Sequence, residues 1–153
     1  MLTQKEKYHT AMSGEYLVAA HLQRMNITAS ITYGNAKKAD IIALSEDNRR
    51  CVLIEVKTSS KGRWPIGGRV PNPSDNPWIF VHMPENINEP AEFFIMSQNE
   101  IYSELKLSED EYLERYKIKH GHDYGNKPGV ASMKKSIAEK YKDNWSTILN
   151  LIR

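Results

Sequence analysis

The run Cys51-Val52-Leu53-Ile54-Glu55-Val56-Lys57 constrains the fold of this chain more than any other stretch. Side chains alternate between faces along a strand, so Val52, Ile54 and Val56 share one face while Leu53, Glu55 and Lys57 share the other. An apolar strand therefore ends with a carboxylate beside an ammonium. Taken alone, a Glu-x-Lys pair is more often a solvated surface ion pair than a site. Its weight depends on what the rest of the chain brings to it.

The neighbouring segments read as a sheet with helices around it. Residues 8–25 have helical spacing in Ala11, Val18, Leu22 and Met25. Strand-like runs follow at 27–33, 39–44 and 51–56, and the short polar link 45–50 predicts an antiparallel hairpin between the last two. Residues 62–77 carry three glycines and four prolines, so they are expected to be a long loop without helix or strand. Two more strands are expected at 78–83 and 92–96. Ser97 with Glu100, and Ser108 with Glu111, have the spacing of capping boxes and predict two successive helices, to about Leu107 and about His120. A Gly/Asn/Pro break at 121–129 precedes a further helix over 132–150. The sum is an α/β domain over 1–153, a mixed central sheet of about five strands flanked by helices, with a helical C-terminal part.

Composition narrows the class. The chain has 153 residues, 40% hydrophobic and 26% charged, which suits one folded globular domain rather than a disordered segment. Its net charge of +2 requires any polyanion-binding residues to be gathered locally. Cys51 is the sole cysteine, which excludes a disulfide framework or a cysteine-rich zinc site within the chain and makes the reducing cytoplasm the natural compartment. The polar N-terminus lacks the apolar core of a signal peptide, and no apolar run approaches the ~20 residues of a membrane helix.

Two more carboxylates bear on the Glu55–Lys57 pair. Asp40 opens the strand before it, where aspartate is disfavoured, and counting back from the 45–50 link brings it opposite the neighbourhood of Glu55. A strand-capping aspartate is the plainer alternative. Glu15 falls on the stripe Ala11, Glu15, Val18, Ala19 and Leu22, the side of the helix expected to face the core, where a carboxylate is costly unless paired or metal-bound. A slight rotation of that stripe would instead leave Glu15 at its polar margin.

The set Glu15, Asp40 and Glu55-Val56-Lys57 resembles the PD-(D/E)XK nuclease superfamily, whose members line one metal site with a helix glutamate, a strand aspartate and a Glu/Asp-x-Lys strand. The words Gly14-Glu15, Ala39-Asp40 and Glu55-Val56-Lys57-Thr58 read like this family, as do residues 76–81 and 92–97. Ala39 stands where a proline often precedes the aspartate. The resemblance implies a restriction-endonuclease-like α-β-β-β-α-β core and metal-dependent hydrolysis of phosphodiesters, DNA before RNA, with room for a homodimer. It implies Mg²⁺ or Mn²⁺ held by Asp40, Glu55, the Val56 carbonyl and Glu15, all hard oxygen donors. Lys57 would orient or deprotonate the attacking water, or balance phosphate charge.

Nucleic acid must also be held. Lys37 and Lys38 precede Asp40, and Lys61, Arg63 and Arg69 follow Lys57, so they flank the cluster and are candidate phosphate contacts. Trp64 is a candidate for stacking on an exposed base, or alternatively packs under its own loop. The rival expectation is a catalytically silent module of the same fold that binds nucleic acid or a partner protein.

Overall fold

A computed structural model of the protein describes residues 1–33, 39–126 and 129–153. Lys37 and Lys38 therefore lie outside the described residues. Helix α1 (Gln4–Arg24) starts earlier than apolar spacing predicts, because Thr3 and Glu6 form a reciprocal capping box. The Thr3 N–H donates to Glu6 Oε2 at 2.7 Å and the Glu6 N–H to Thr3 Oγ1 at 3.2 Å. Its first turns are exposed, Ala11 included, so no apolar period marks them. Burial begins at Gly14 and continues through Glu15, Val18 and Leu22.

Strands β1 (Ala29–Ile31), β2 (Ile41–Leu44) and β3 (Cys51–Ser59) form an antiparallel meander, with Ile41 opposite Ile54 and Leu44 opposite Cys51. The expected hairpin is present. Asp47 closes its link by accepting from Ser45 Oγ and from the Arg49 N–H. β4 (Arg63–Gly67) comes next, then β5 (Pro77–His82), which runs parallel to β3 with Glu55 opposite Trp78 and Lys57 opposite Phe80. β6 (Glu92–Ser97) pairs antiparallel with β5, giving a mixed five-stranded sheet in the order β1-β2-β3-β5-β6. The crossover from β3 to β5 contains a strand rather than a helix.

Three expectations need correction. Residues 62–77 are not all loop: β4 pairs with β7 (Ala131–Lys134) as a separate antiparallel ribbon. Trp64 and Ile66 are buried while Arg63, Pro65 and Gly67 are exposed, and that alternation drives the strand. Pro65 is tolerated because a strand with one partner has one edge that needs no N–H. The same pairing overturns a continuous helix over 132–150, which is instead β7, a short helix α3 (Lys135–Ala138), a 3₁₀ turn and α4 (Ser146–Ile152). Finally, α2 (Gln98–His120) is one helix, not two. Ser108 costs a helix only a few tenths of a kcal/mol, and Lys106 bridges Glu109 and Asp110 across it at 3.2 and 3.0 Å.

Each face of the sheet has its own core. On one side α1 and α4 cover aliphatic residues, with Val18, Leu22, Ile54, Val56, Ile79 and Ile148 at the centre. On the other, the β4–β7 ribbon and α2 cover an aromatic layer of Trp64, Trp78, Phe80 and Phe94 with Met96, Ile101 and Met133. Val52, Ile54 and Val56 face the first layer, so Leu53, Glu55 and Lys57 are on the ribbon side, as strand alternation requires. Among the described residues no helix is long and apolar enough to cross a membrane.

Candidate active site

The strand lengths create the site. β2 begins only at Ile41, opposite Ile54, while β3 runs on to Ser59, so the last residues of β3 lack a β2 partner and keep β5 on their other side. Asp40 sits at this fork. Its N–H donates to the Ile54 carbonyl at 3.0 Å, and its Oδ2 accepts the Val56 N–H at 2.8 Å. The carboxylate thus takes a ladder donor that a longer β2 would have met with backbone. Asp40 is buried to 8% exposure, and its own carbonyl accepts the Thr32 N–H at 2.9 Å, which ties it to the end of β1.

Glu55 and Lys57 flank Val56 on the ribbon side. Lys57 Nζ is 4.0 Å from Glu55 Oε2 and 5.7 Å from the centre of the Trp78 ring, with both charged side chains about one-third exposed. The N–H and C=O of one strand residue point to the same edge, so the Val56 carbonyl opens toward the fork that holds the Asp40 carboxylate. Asp40, Glu55, Lys57 and the Val56 backbone accordingly share one small region.

Glu15 approaches from the helix. It is 5% exposed, next to Gly14, whose backbone lies directly on the Thr58 side chain of β3. Its charge is felt at Tyr33: the 3.0 Å hydrogen bond with Tyr16 chiefly raises the Tyr33 hydroxyl, and Glu15 adds to the effect. Tyr33 follows Thr32, which binds Asp40, so Glu15 belongs to the Asp40 end of the sheet. Even so, among the described residues no three His, Cys, Asp or Glu side chains converge tightly enough to hold a metal ion by themselves.

The flanking candidates divide. Lys61 and Arg63 are exposed. Arg69 is held in place, donating to the carbonyls of Gly68 at 2.8 Å and Gly125 at 3.0 Å, with its guanidinium 4.6 Å over Tyr124. Trp64 as a base-stacking platform is corrected. It is fully buried between Phe80 and Phe94, and its Nε1–H donates to the Val81 carbonyl at 2.9 Å, because the ribbon folds its apolar face inward. It packs beneath its own segment.

Sequence reasoning also missed a second charged group. Glu92 accepts from Lys135 at 2.5 Å, Lys142 at 2.7 Å and the His82 ring at 2.9 Å. The Lys135 bond, then that of Lys142, holds its carboxyl down at about pH 2. No spacing signal could have found it, since its partners lie 10, 43 and 50 residues away in the chain.

No family model matches the sequence, and no curated protein matches it. Among solved structures, the bacterial homing endonuclease I-Ssp6803I aligns with a TM-score of 0.55 over 99% of this chain and 95% of its own, at 13% identity. The Holliday junction resolvase Hjc of Archaeoglobus fulgidus aligns with a TM-score of 0.42 over 84% of this chain and 92% of its own, at 12% identity. At such identities a likeness speaks of fold alone. What the backbone shares with the homing endonuclease is the mixed sheet with flanking helices, and the chain has the restriction-endonuclease-like fold, the fold of the PD-(D/E)XK nucleases.

Proposed function

We propose that the protein is a metal-dependent nuclease that hydrolyses phosphodiester bonds of DNA. The reading is carried by one observation: the Asp40 carboxylate is bonded to the Val56 N–H at the fork between β2 and β3, beside the Glu55-Val56-Lys57 backbone. The donor set fits the ion. Mg²⁺ is usually held by one or two carboxylates, with waters and substrate oxygens completing its octahedron. Asp40, Glu55 and the Val56 carbonyl would supply protein oxygens of that kind, and Glu15 would hold a water or a second ion. A divalent ion there, Mg²⁺ or Mn²⁺, supplies Lewis acidity and a more acidic water.

The chain's own groups do the remaining work. Lys57 Nζ stabilises charge developing on the phosphate oxygens, or takes the proton of the attacking water. Its neighbour Glu55 keeps the ammonium beside the reacting phosphate. Lys37, Lys38, Lys61, Arg63 and Arg69 hold the nucleic-acid backbone on either side. Trp64 has no part in this.

Incubating the protein with supercoiled plasmid in Mg²⁺, Mn²⁺ or EDTA tests the reading. Nicking or linearisation in either metal, absent in EDTA and in Asp40→Asn, is the expected result. A second reading, a silent module of the same fold that binds nucleic acid, is favoured by the failure of three acidic or histidine side chains to converge among the described residues. Plasmid binding without cleavage under every metal condition would select it.

A further inference from the structure

The groove between the β4–β7 ribbon and α2 includes Arg63 and Arg69, proposed above to hold the nucleic-acid backbone, and none of Glu15, Asp40, Glu55 and Lys57. It encloses about 400 Å³, within the usual range for small-ligand pockets. Arg63 and Lys134 line its ribbon side, Glu109 and Tyr112 its α2 side, and Arg69 and Tyr124 its far end. Arg63 and Lys134 are direct cross-strand partners, so both project from the same face of the ribbon. Like charges placed this way repel. Elsewhere lysines find acids, Lys135 and Lys142 on Glu92 and Lys140 on Glu104, but neither Arg63 nor Lys134 has an ionic partner among the described residues.

The groove cannot neutralise them from within. Glu109 is the sole acid in its lining, and both its oxygens are in use: Oε1 accepts the Val70 N–H at 2.9 Å and Oε2 faces Lys106 at 3.2 Å. Ser132, two residues before Lys134, adds a buried hydroxyl with no hydrogen-bond partner among the described residues. Beside these groups stand Tyr112, 51% exposed, and Tyr124, their rings 6.0 Å apart and edge to face. Paired cations with an orphan hydroxyl suit a phosphate, and an exposed aromatic next to them suits a base. The ribbon covers the sheet face that carries Glu55 and Lys57, since Trp64 packs on Phe80, the strand partner of Lys57.

We propose that this groove binds an unpaired, phosphorylated nucleotide of a nucleic-acid strand, with Arg63 and Lys134 on its phosphate and Tyr112 on its base. The choice of a nucleic-acid strand rests on the nuclease reading; the charge and shape of the groove do not. Arg63 and Lys134 stand on the ribbon face turned away from the sheet, opposite Trp64 and Met133, so a strand seated there runs over the ribbon that covers Glu55 and Lys57, and the groove would select substrates that offer a single-stranded stretch.

Anisotropy of a labelled single-stranded oligonucleotide in EDTA tests this without cleavage. Arg63→Gln combined with Lys134→Gln should weaken binding ~10-fold or more and lower the salt slope by about 0.7, the value for the one phosphate that both residues hold. Its melting temperature should equal or exceed that of the wild type, because a repulsive pair has been removed. Tyr112→Ala should weaken the normal oligonucleotide several-fold and leave an abasic one unaffected. Unchanged affinity and salt slope in the double variant would overturn the proposal, and so would displacement of the oligonucleotide by equimolar 5′-dTMP, which would make the site one for free nucleotides. Asp40→Asn should bind like the wild type. If it abolishes cleavage while the double variant binds normally, the nuclease reading stands and the groove proposal falls. If the double variant loses binding while no protein cleaves in any metal, the reverse holds.

Discussion

Two charged clusters lie on this sheet, and they differ in how fully their carboxylates are engaged. At the fork of β2 and β3 the Asp40 carboxylate meets the Glu55–Lys57 strand end, with Glu15 buried on α1 toward the same end of the sheet. At the start of β6 the carboxylate of Glu92 faces Lys135, Lys142 and His82, with Glu139 a more distant partner of Lys135 at 3.9 Å. The second cluster closes on itself: each Glu92 oxygen takes a lysine, and strands β5 and β6 are tied to the segment after β7. In the first, Asp40 accepts a backbone N–H and Glu55 stands 4.0 Å from Lys57 with about one-third of its side chain exposed. An acid surrounded by cations is saturated and serves as a fastener, whereas a partly exposed acid at a strand end can still take a cation from outside.

Removing a carboxylate should separate the clusters most sharply. Asp40→Asn or Glu55→Gln is expected to cut plasmid cleavage by roughly 10³-fold or more, at the high end for loss of one charged group at a reacting centre. Mn²⁺ is expected to raise the melting temperature of the wild type, and either substitution should abolish that rise. Glu92→Gln should do neither; cleavage lost equally in all three would break the distinction.

Lys57→Ala comes next. Cleavage should fall by ~10²-fold while the Mn²⁺ shift survives, since a neighbour of the ion is lost and not a ligand. Loss of the thermal shift as well would make Lys57 part of a structural pair.

A smaller effect is expected at the fastener. Glu92→Gln should destabilise the fold by about 1–2 kcal/mol in urea titrations, because the lysines it leaves are partly hydrated and can return to water. A melting point equal to the wild type would mean that the C-terminal segment is held without it.

The smallest effect is a pH signature. The Glu92 carboxyl is lowered from 4.5 to about 2 in the folded protein. A depressed carboxyl contributes fully above its unfolded value and loses that contribution as pH falls through the folded one. The stability advantage of the wild type over Glu92→Gln should therefore shrink between about pH 4.5 and pH 2. An advantage that is flat across this window would remove Glu92 from the acid response.

What could be read in the sequence was local. The β2–β3 hairpin, and with it the meeting of Asp40 with the Glu55–Lys57 strand end, follows from two short alternating runs and one short link. Burial of Glu15 follows from its stripe on α1. The ribbon could not be read, because Trp64 finds Met133 across most of the second half of the chain and Gly/Pro content argues locally for a loop. The fastener was hidden for the same reason, its lysines being supplied by a segment expected to be helix throughout. In α2, a capping-box pattern at Ser108 was outweighed by helix formers on both sides.

The contact between Gly14 and Thr58 acts as a spacer of fixed thickness. A methyl group at position 14 would stand 1.8 Å from Thr58 Oγ1, where ordinary contact begins at 3.4 Å. One added carbon must therefore turn the Thr58 hydroxyl aside, and because the Thr58 Cβ would still stand at 2.9 Å it also presses α1 off β3 by up to about half an ångström, with Glu15, the next residue, moving too. Reacting groups tolerate about half an ångström of misplacement. If the chain is the proposed nuclease, its activity would thus be adjustable by volume alone, at a position that carries no charge. Gly14→Ala should silence cleavage in a protein that still binds Mn²⁺ at Asp40 and Glu55, and trimming Thr58 to alanine in the same chain should let the helix settle back and restore part of the rate.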